Sequence, residues 1–154
     1  VNAKIIDVNK ERVFRELESG KVVIVAGFQG ISKKKEITTL GRGGSDITAV
    51  ALAIALSSEI VHFYKDVGGI YSMDPKTCPD AELLKNISYE KALELVKNQN
   101  KIMHPRCIAL AAAHQISLQV LSFLQPNSTG TIVSDLSCAK KPNFLYEWEH
   151  SYLS

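Results

Sequence analysis

The sequence predicts an α/β fold, a three-layer sandwich with a mainly parallel sheet. Short apolar stretches of strand length alternate with stretches of helical periodicity, which is the pattern of strands joined by crossover helices. The chain has 154 residues, of which 45% are hydrophobic and 22% charged, so it can form one domain with its own core. We expect this domain to occupy residues 1–135, and we expect the polar and aromatic residues 136–154 to be a linker or tail.

Composition and charge exclude several classes of protein. The 18 basic and 16 acidic residues nearly balance, which argues against a nucleic-acid partner. The longest apolar run, residues 49–56, is far shorter than the roughly 20 residues that a membrane helix needs. Cys78, Cys107 and Cys138 lack a CxxC pair, so we expect neither a zinc site nor a disulfide framework. The first residues show no signal-peptide pattern, and we expect a cytoplasmic protein.

The first half of the chain contains two predicted helices and one buried strand. Residues 10–19 have an amphipathic pattern that ends at Gly20, a typical helix stop. The continuous apolar run at residues 22–28 predicts a buried parallel strand. Residues 36–40 are expected to be extended, and residues 47–57, with almost no polar face, predict a buried helix.

The second half continues the alternation of strands and helices. Residues 88–97 predict a helix with Ser88 as its N-cap, since serine accepts a hydrogen bond from the first turn. Pro105 suits the first turn of a further helix over residues 106–114. The remaining segments predict strands at residues 60–64, Ser117–Ser122 and residues 130–134, and a loop at residues 66–80.

Seven of the nine glycines fall between residues 27 and 69, and three of them lie in the stretch GRGGSD. Glycine lets backbone N–H groups approach an anion, and the helix that begins near Ser45 adds the positive end of its dipole. Arg42 adds a planar group suited to a carboxylate or a phosphate. The stretch therefore predicts an anion-binding loop. The alternative is a plain glycine-rich turn capped by Ser45 and Asp46, with Arg42 in solvent.

The stretch YKDVGGIYSMDPK is a second candidate ligand loop. Lys65 and Asp66 follow a strand, Tyr71 offers an aromatic face and Lys76 adds a cation. These residues suit a nucleotide, although an ordinary turn explains them as well. Because ligands bind beyond the carboxyl ends of strands in α/β sheets, we expect both glycine loops to meet at one edge.

The stretch KIMHPR contains a cation and a histidine. Lys101 is placed to neutralise a phosphate at the sheet edge, whereas His104, which precedes a proline, is expected to be structural. The other histidines show no ligand spacing, and the sequence contains no Ser–His or Cys–His pair that would indicate a nucleophile.

These motifs resemble those of the aspartate kinases (aspartokinases), a branch of the amino-acid kinase family. The stretch TTLGRGGSD has the aspartokinase form of its loop, whereas DVGGIYSMDP resembles loops in uridylate, glutamate and carbamate kinases as well. VAGFQG, KIMHPR and the closing residues 117–133 add to the resemblance, which covers about residues 1–135.

The resemblance implies that part of a kinase domain is missing. Aspartate kinases begin with a lysine–phenylalanine–glycine–glycine–threonine–serine segment and carry ACT domains after the kinase domain, and neither is found here. The chain therefore resembles the C-terminal, nucleotide-binding half, as a fragment or a truncated paralogue. We expect it to be inactive alone, and we expect its exposed sheet edge to favour a homo-oligomer.

The resemblance also assigns roles around the first glycine loop. Arg42 would grip the α-carboxylate of L-aspartate with Ser45 beside it, and Gly43 and Gly44 would complete the substrate-binding loop. Asp46 would act in catalysis by orienting the lysine of the missing segment.

The ATP side shows departures from the family pattern. Lys65 stands where the family usually has threonine, Lys76 where it has arginine, and residues 98–100 where it has small residues. Lysine cannot reproduce the bidentate geometry of arginine. Lys101 would reach the ATP phosphates and act in catalysis. The implied ATP-binding residues are Lys65, Asp66, Tyr71, Lys76, Lys101 and Ile102.

The implied reaction is phosphorylation of the side-chain carboxylate of L-aspartate by ATP with Mg²⁺, the first step toward lysine (through diaminopimelate), threonine and methionine. The substrate carboxylate is already ionised, so cations and N–H groups suffice without a general base, and no protein metal site is implied. The alternatives are another kinase of the family, acting on glutamate, carbamate or uridylate, and a non-catalytic nucleotide-binding module.

Overall fold

The computed structural model describes residues 3–98 and 102–135. Within these residues, no helix is long and apolar enough to cross a membrane. In chain order the elements are α1 Glu11–Glu18, β1 Gln29–Ile31, β2 Ile37–Thr39, α2 Gly44–Ala55, β3 Ile60–Lys65, β4 Asn86–Ile87, α3 Tyr89–Asn98, α4 Pro105–His114, β5 Ser117–Ser122 and β6 Thr131–Val133.

A four-stranded sheet with the order β3-β5-β6-β4 forms the centre of the described structure. β3 pairs with β5 in parallel and β4 pairs with β6 in parallel, whereas β5 and β6 are antiparallel. β1 and β2 form a separate antiparallel hairpin. The α/β class with a mainly parallel sheet is therefore confirmed.

The core lies between this sheet and the helices α2, α3 and α4. Alternate residues of β5 are buried, so one face of the sheet points into the core. α2 packs on α4 and β3, and α4 packs on α3 and β5. The almost wholly apolar sequence of α2 is explained by this position between the sheet and the other helices. The largest fully buried apolar side chains are Ile47, Val50, Ile70, Ile108, Leu110, Leu118, Val120 and Val133.

Three predicted helix-terminal features agree with the structure, whereas the helix predicted at residues 47–57 is observed as Gly44–Ala55. Gly20 follows α1 with a φ of +74°, the left-handed conformation typical of a helix stop. The Ser88 hydroxyl accepts a hydrogen bond of 3.1 Å from the Lys91 N–H, which confirms Ser88 as the cap of α3. Pro105 is the first residue of α4. Each capping feature was recognisable because it depends on residues that are neighbours in the sequence.

The prediction of a buried parallel strand at residues 22–28 is wrong. In this fully described stretch the backbone forms no strand, and the side chains of Val22 and Ile24 are 92% and 94% exposed. A buried parallel strand needs neighbouring strands and a packed layer on each face, and the described residues provide neither for this segment. The hairpin strand β1 and the two-residue strand β4 were not predicted, because they have too few residues to show a period.

Candidate functional site

The first glycine loop leads directly into α2. Gly41 and Gly43 have φ values of +78° and +75°, a conformation that favours glycine. Gly43 is the N-cap of α2, and among the described residues no side chain caps this helix. Ser45 and Asp46 therefore do not cap the turn as the alternative supposed. Gly44 is buried against Leu40 and Phe28, whereas Ser45 is exposed.

An ion pair connects this loop to the carboxyl end of β3. The Lys65 Nζ lies 3.1 Å from the Asp46 Oδ1, and the two side chains are 28% and 18% exposed. The positive end of the α2 dipole also favours the Asp46 carboxylate, which lies in the first turn. The structure thus brings together one residue predicted for catalysis and one predicted for ATP.

His104 packs against the same loop from α4. It is the N-cap of α4, and its Nδ1 accepts a hydrogen bond of 3.2 Å from the Arg106 N–H. A Cβ added to Gly43 would lie only 2.3 Å from the His104 Cβ, so the histidine approaches the glycine backbone closely. Burial, and then the charges of Arg106 and Arg42, lower the pKa of His104, while Asp46 acts in the opposite direction.

These residues surround a cavity of about 430 Å³, which we call the α2 cavity. Its wall carries two cationic side chains and one carboxylate, and Lys65 pairs with that carboxylate. The balance of charge suits an anion. The lining residues are Arg42, Gly43, Asp46, Val96, Lys97, Met103, His104 and Pro105.

Arg106 fixes the loop that precedes the α2 cavity. Its Nη1 donates a hydrogen bond of 3.0 Å to the Leu40 carbonyl, and its Nη2 donates one of 3.0 Å to the Ala3 carbonyl. The guanidinium therefore links the start of α4 to the residue just before Gly41. Sequence reasoning did not assign roles to Arg106 or Lys97, and we find no sequence signal for either.

The second glycine loop follows β3. Asp66 is exposed at the carboxyl end of this strand, and Tyr71 is half-buried in a β-bridge with Leu83. Lys76 is exposed, and its backbone N–H donates to the Asp74 carboxylate at 2.9 Å. Asp66, Tyr71 and Lys76 do not line the α2 cavity.

A buried threonine on β6 holds the second glycine loop to the sheet. The Thr131 hydroxyl accepts a hydrogen bond of 2.8 Å from the Ile70 N–H and donates one of 2.6 Å to the Leu84 carbonyl. A Cβ on Gly69 would lie 2.6 Å from the Thr131 Oγ1, so only glycine fits here. The loop is thus held on one side by buried hydrogen bonds.

Ile102 is half-buried and packs against the core, and Lys101 lies outside the described residues. Cys107 is buried, its Sγ donates to the Asp46 carbonyl at 3.7 Å, and burial raises the pKa of its thiol. Within residues 3–98 and 102–135, no cluster of three or more His, Cys, Asp or Glu side chains could hold a metal ion.

Comparison with known proteins adds independent evidence about the family. The family model described as "Amino acid kinase family" matches residues 1–122. The chain is 45% identical over 134 residues to the aspartokinase of Bacillus sp. (strain MGA3), an alignment that covers 87% of this chain and 32% of that protein. It is 46% identical over 134 residues to the aspartokinase of Corynebacterium glutamicum, which covers 86% of this chain and 32% of that protein.

The structure is similar to solved aspartate kinases. Against E. coli aspartokinase III in complex with aspartate and ADP, the TM-score is 0.73 and the identity 37%, over 82% of this chain and 28% of that one. Against the aspartate kinase from Synechocystis, the TM-score is 0.72 and the identity 44%, over 84% of this chain and 22% of that one. The chain spans about a third or less of the length of each of these four aspartate kinases.

Proposed function

We propose that this chain, which belongs to the amino acid kinase family, forms the nucleotide-binding part of an aspartate kinase. In this proposal it also holds the α-carboxylate of L-aspartate. The proposed reaction belongs to the whole protein that carries this segment. A side-chain carboxylate oxygen of L-aspartate forms a bond to the γ-phosphorus of ATP, while the bond from that phosphorus to the β,γ-bridging oxygen breaks. The products are β-aspartyl phosphate and ADP.

The observation that carries this proposal is the α2 cavity. Arg42 and the backbone of Gly43 line it at the start of a twelve-residue helix, where N–H groups and the helix dipole favour an anion. A volume of about 430 Å³ suits a small ligand. In our proposal Arg42 forms a two-point contact with the α-carboxylate, and Ser45 lies beside it.

The ATP side of the proposal depends on the end of β3 and on the loop after it. Lys65 and Asp66 lie at the carboxyl end of this strand, where ligands bind in α/β sheets. We assign Tyr71 and Lys76 to the nucleotide, Ile102 to the wall beside it, and Lys101 to the phosphates. In our proposal Mg²⁺ binds together with ATP, because this ion usually binds through substrate phosphates and one or two carboxylates.

The first experiment measures ADP release by the complete protein with L-aspartate, L-glutamate, carbamate or UMP as acceptor. We expect turnover with L-aspartate alone. Arg42→Lys should raise the KM for L-aspartate and leave the KM for ATP unchanged, because lysine loses the two-point contact. Arg15→Lys, on the exposed surface of α1, is the matched control and should change neither value. Unchanged aspartate kinetics in Arg42→Lys would exclude Arg42 as the carboxylate-binding residue.

A second experiment tests Lys101 and the isolated segment. In the complete protein, Lys101→Ala should lower kcat/KM by about 10²-fold or more, the effect of removing one charge donor, and should raise the KM for ATP more than that for L-aspartate. Lys91→Ala, on the exposed surface of α3, should have no such effect. The 154-residue chain alone should release no ADP, whereas turnover of about 1–100 s⁻¹, as in ordinary kinases, would contradict that expectation.

A further inference from the structure

His104 lies in the wall of the α2 cavity and contacts the loop that we assign to substrate. Its ring packs on the Gly43 backbone, in the same wall as Arg42. This close approach depends on the absence of a side chain at residue 43. The imidazole is therefore fixed beside the arginine that we propose for the carboxylate.

The hydrogen bond at Nδ1 determines which nitrogen carries the proton. Nδ1 accepts from the Arg106 N–H, so in the neutral ring the proton is on Nε2. Within the described part of the chain, Nε2 has no hydrogen-bond partner. A donor that lines a cavity and has no protein partner is available to a bound ligand.

The charges around His104 keep this donor in one state. Burial and the nearby guanidinium groups of Arg106 and Arg42 lower the pKa of the ring, and Asp46 acts against them. The Asp46 carboxylate is paired with Lys65, which weakens its effect on the ring. Lys97 lines the same cavity and adds a further positive charge. The ring therefore stays neutral, with the proton on Nε2, at pH values where an unperturbed histidine begins to gain charge.

We propose that His104 is a substrate-binding residue, whose Nε2–H donates a hydrogen bond to the L-aspartate carboxylate held by Arg42. This inference rests on the function proposed above and adds a residue to it. The capping role of His104 is retained, since the cap uses Nδ1 and the substrate uses Nε2. One side chain thus caps the start of α4 and donates a hydrogen bond to the ligand.

Two substitutions separate these roles. In His104→Asn, the amide oxygen takes the place of Nδ1 and keeps the cap, because asparagine is a favoured N-cap residue, while the Nε2 donor is lost. In His104→Gln, the amide nitrogen reaches the position of Nε2, while the cap is lost. Binding of L-aspartate and of ADP to the complete protein is measured by calorimetry, together with Tm and turnover.

We expect His104→Asn to bind L-aspartate about tenfold more weakly or worse, which is the usual effect of losing a hydrogen bond to a charged group. Its Tm and its affinity for ADP should be unchanged. His104→Gln should keep most of the affinity for L-aspartate and have a lower Tm. Wild-type affinity in His104→Asn, or a loss for ADP instead of L-aspartate, would overturn the proposal.

The same measurements distinguish failure of the proposed function from failure of the proposed role of His104. A wild-type protein that binds L-aspartate without phosphorylating it would contradict the proposed function, while the affinities of the two variants would still decide the role of His104. A wild-type protein that binds no L-aspartate would overturn both proposals.

Discussion

The Lys65 Nζ lies 3.1 Å from the Asp46 Oδ1 and thereby joins the end of β3 to the first turn of α2. The two residues belong to the two glycine-containing loops that the sequence predicted to meet. Both side chains are partly buried, so water screens the pair less than it screens a surface ion pair. In the proposed site this contact sets the spacing between the substrate loop and the nucleotide loop.

A double-mutant cycle on this pair should show a measurable coupling free energy. Lys65→Met and Asp46→Asn each remove one charge with little change in shape. We expect a coupling of about 1 kcal/mol in the free energy of unfolding, between the values for exposed and fully buried pairs. Urea unfolding of the two single variants and the double variant provides the measurement. The exposed Lys91–Glu94 pair is the control and should give about 0.3 kcal/mol. Additive effects of the two substitutions at Lys65 and Asp46 would contradict a structural role for the pair.

Alanine at residue 43 should destabilise the protein more than alanine at residue 20. The two glycines have almost the same φ, +75° and +74°, so the backbone cost of alanine is about 1 kcal/mol at each. A Cβ at residue 20 meets nothing within 4 Å, whereas a Cβ at residue 43 overlaps His104. We expect Gly43→Ala to cost roughly 1–3 kcal/mol more than Gly20→Ala, as overpacking does. Equal midpoints in urea for the two variants would show that His104 moves aside freely.

The sequence predicted the elements whose signals are local. The strand β5 was predicted with its observed bounds, because six residues between a helix end and a turn leave little choice. The same apolar signal failed at residues 22–28, since apolarity alone does not reveal whether partner strands are present. β4 has two residues and is defined by its pairing with β6, which is a long-range contact.

The candidate site was predicted in its residue types but only partly in its geometry. The ion pair of Lys65 with Asp46 follows from the chain reversal between α2 and β3, which brings the start of the helix to the end of the strand. Sequence reasoning instead assigned Asp46 to a lysine outside this chain. His104 was given a structural role only, because its position before a proline indicates the start of α4 and says nothing about its contact with Gly43.

The protein should lose stability in mild acid through His104. Its pKa is lower in the folded state than the ordinary value of 6.5, so the unfolded chain takes up the proton first. The stabilising contribution of the neutral ring is complete above pH 6.5 and is lost as the pH falls through the folded-state pKa. Between pH 7.5 and pH 5, wild type should lose more free energy of unfolding than His104→Asn, because asparagine at residue 104 does not titrate. Urea titrations at several pH values test this, and parallel pH profiles for the two proteins would show that His104 is not perturbed.

The apolar stretch at residues 22–25 should cause the isolated chain to self-associate, in line with the homo-oligomer predicted from the sequence. Val22 and Ile24 are almost fully exposed, and next to them a groove of about 550 Å³ extends along α1. A run of exposed apolar residues favours association with a second chain. We expect the double substitution Val22→Lys and Ile24→Lys to lower the mass measured by light scattering toward that of a monomer, 16.9 kDa. The Tm should not fall, because neither side chain is buried.

Val23→Lys is the matched control, since Val23 is half-buried and its replacement should lower the Tm. An unchanged mass distribution in the double variant would show that association, if it occurs, uses another surface.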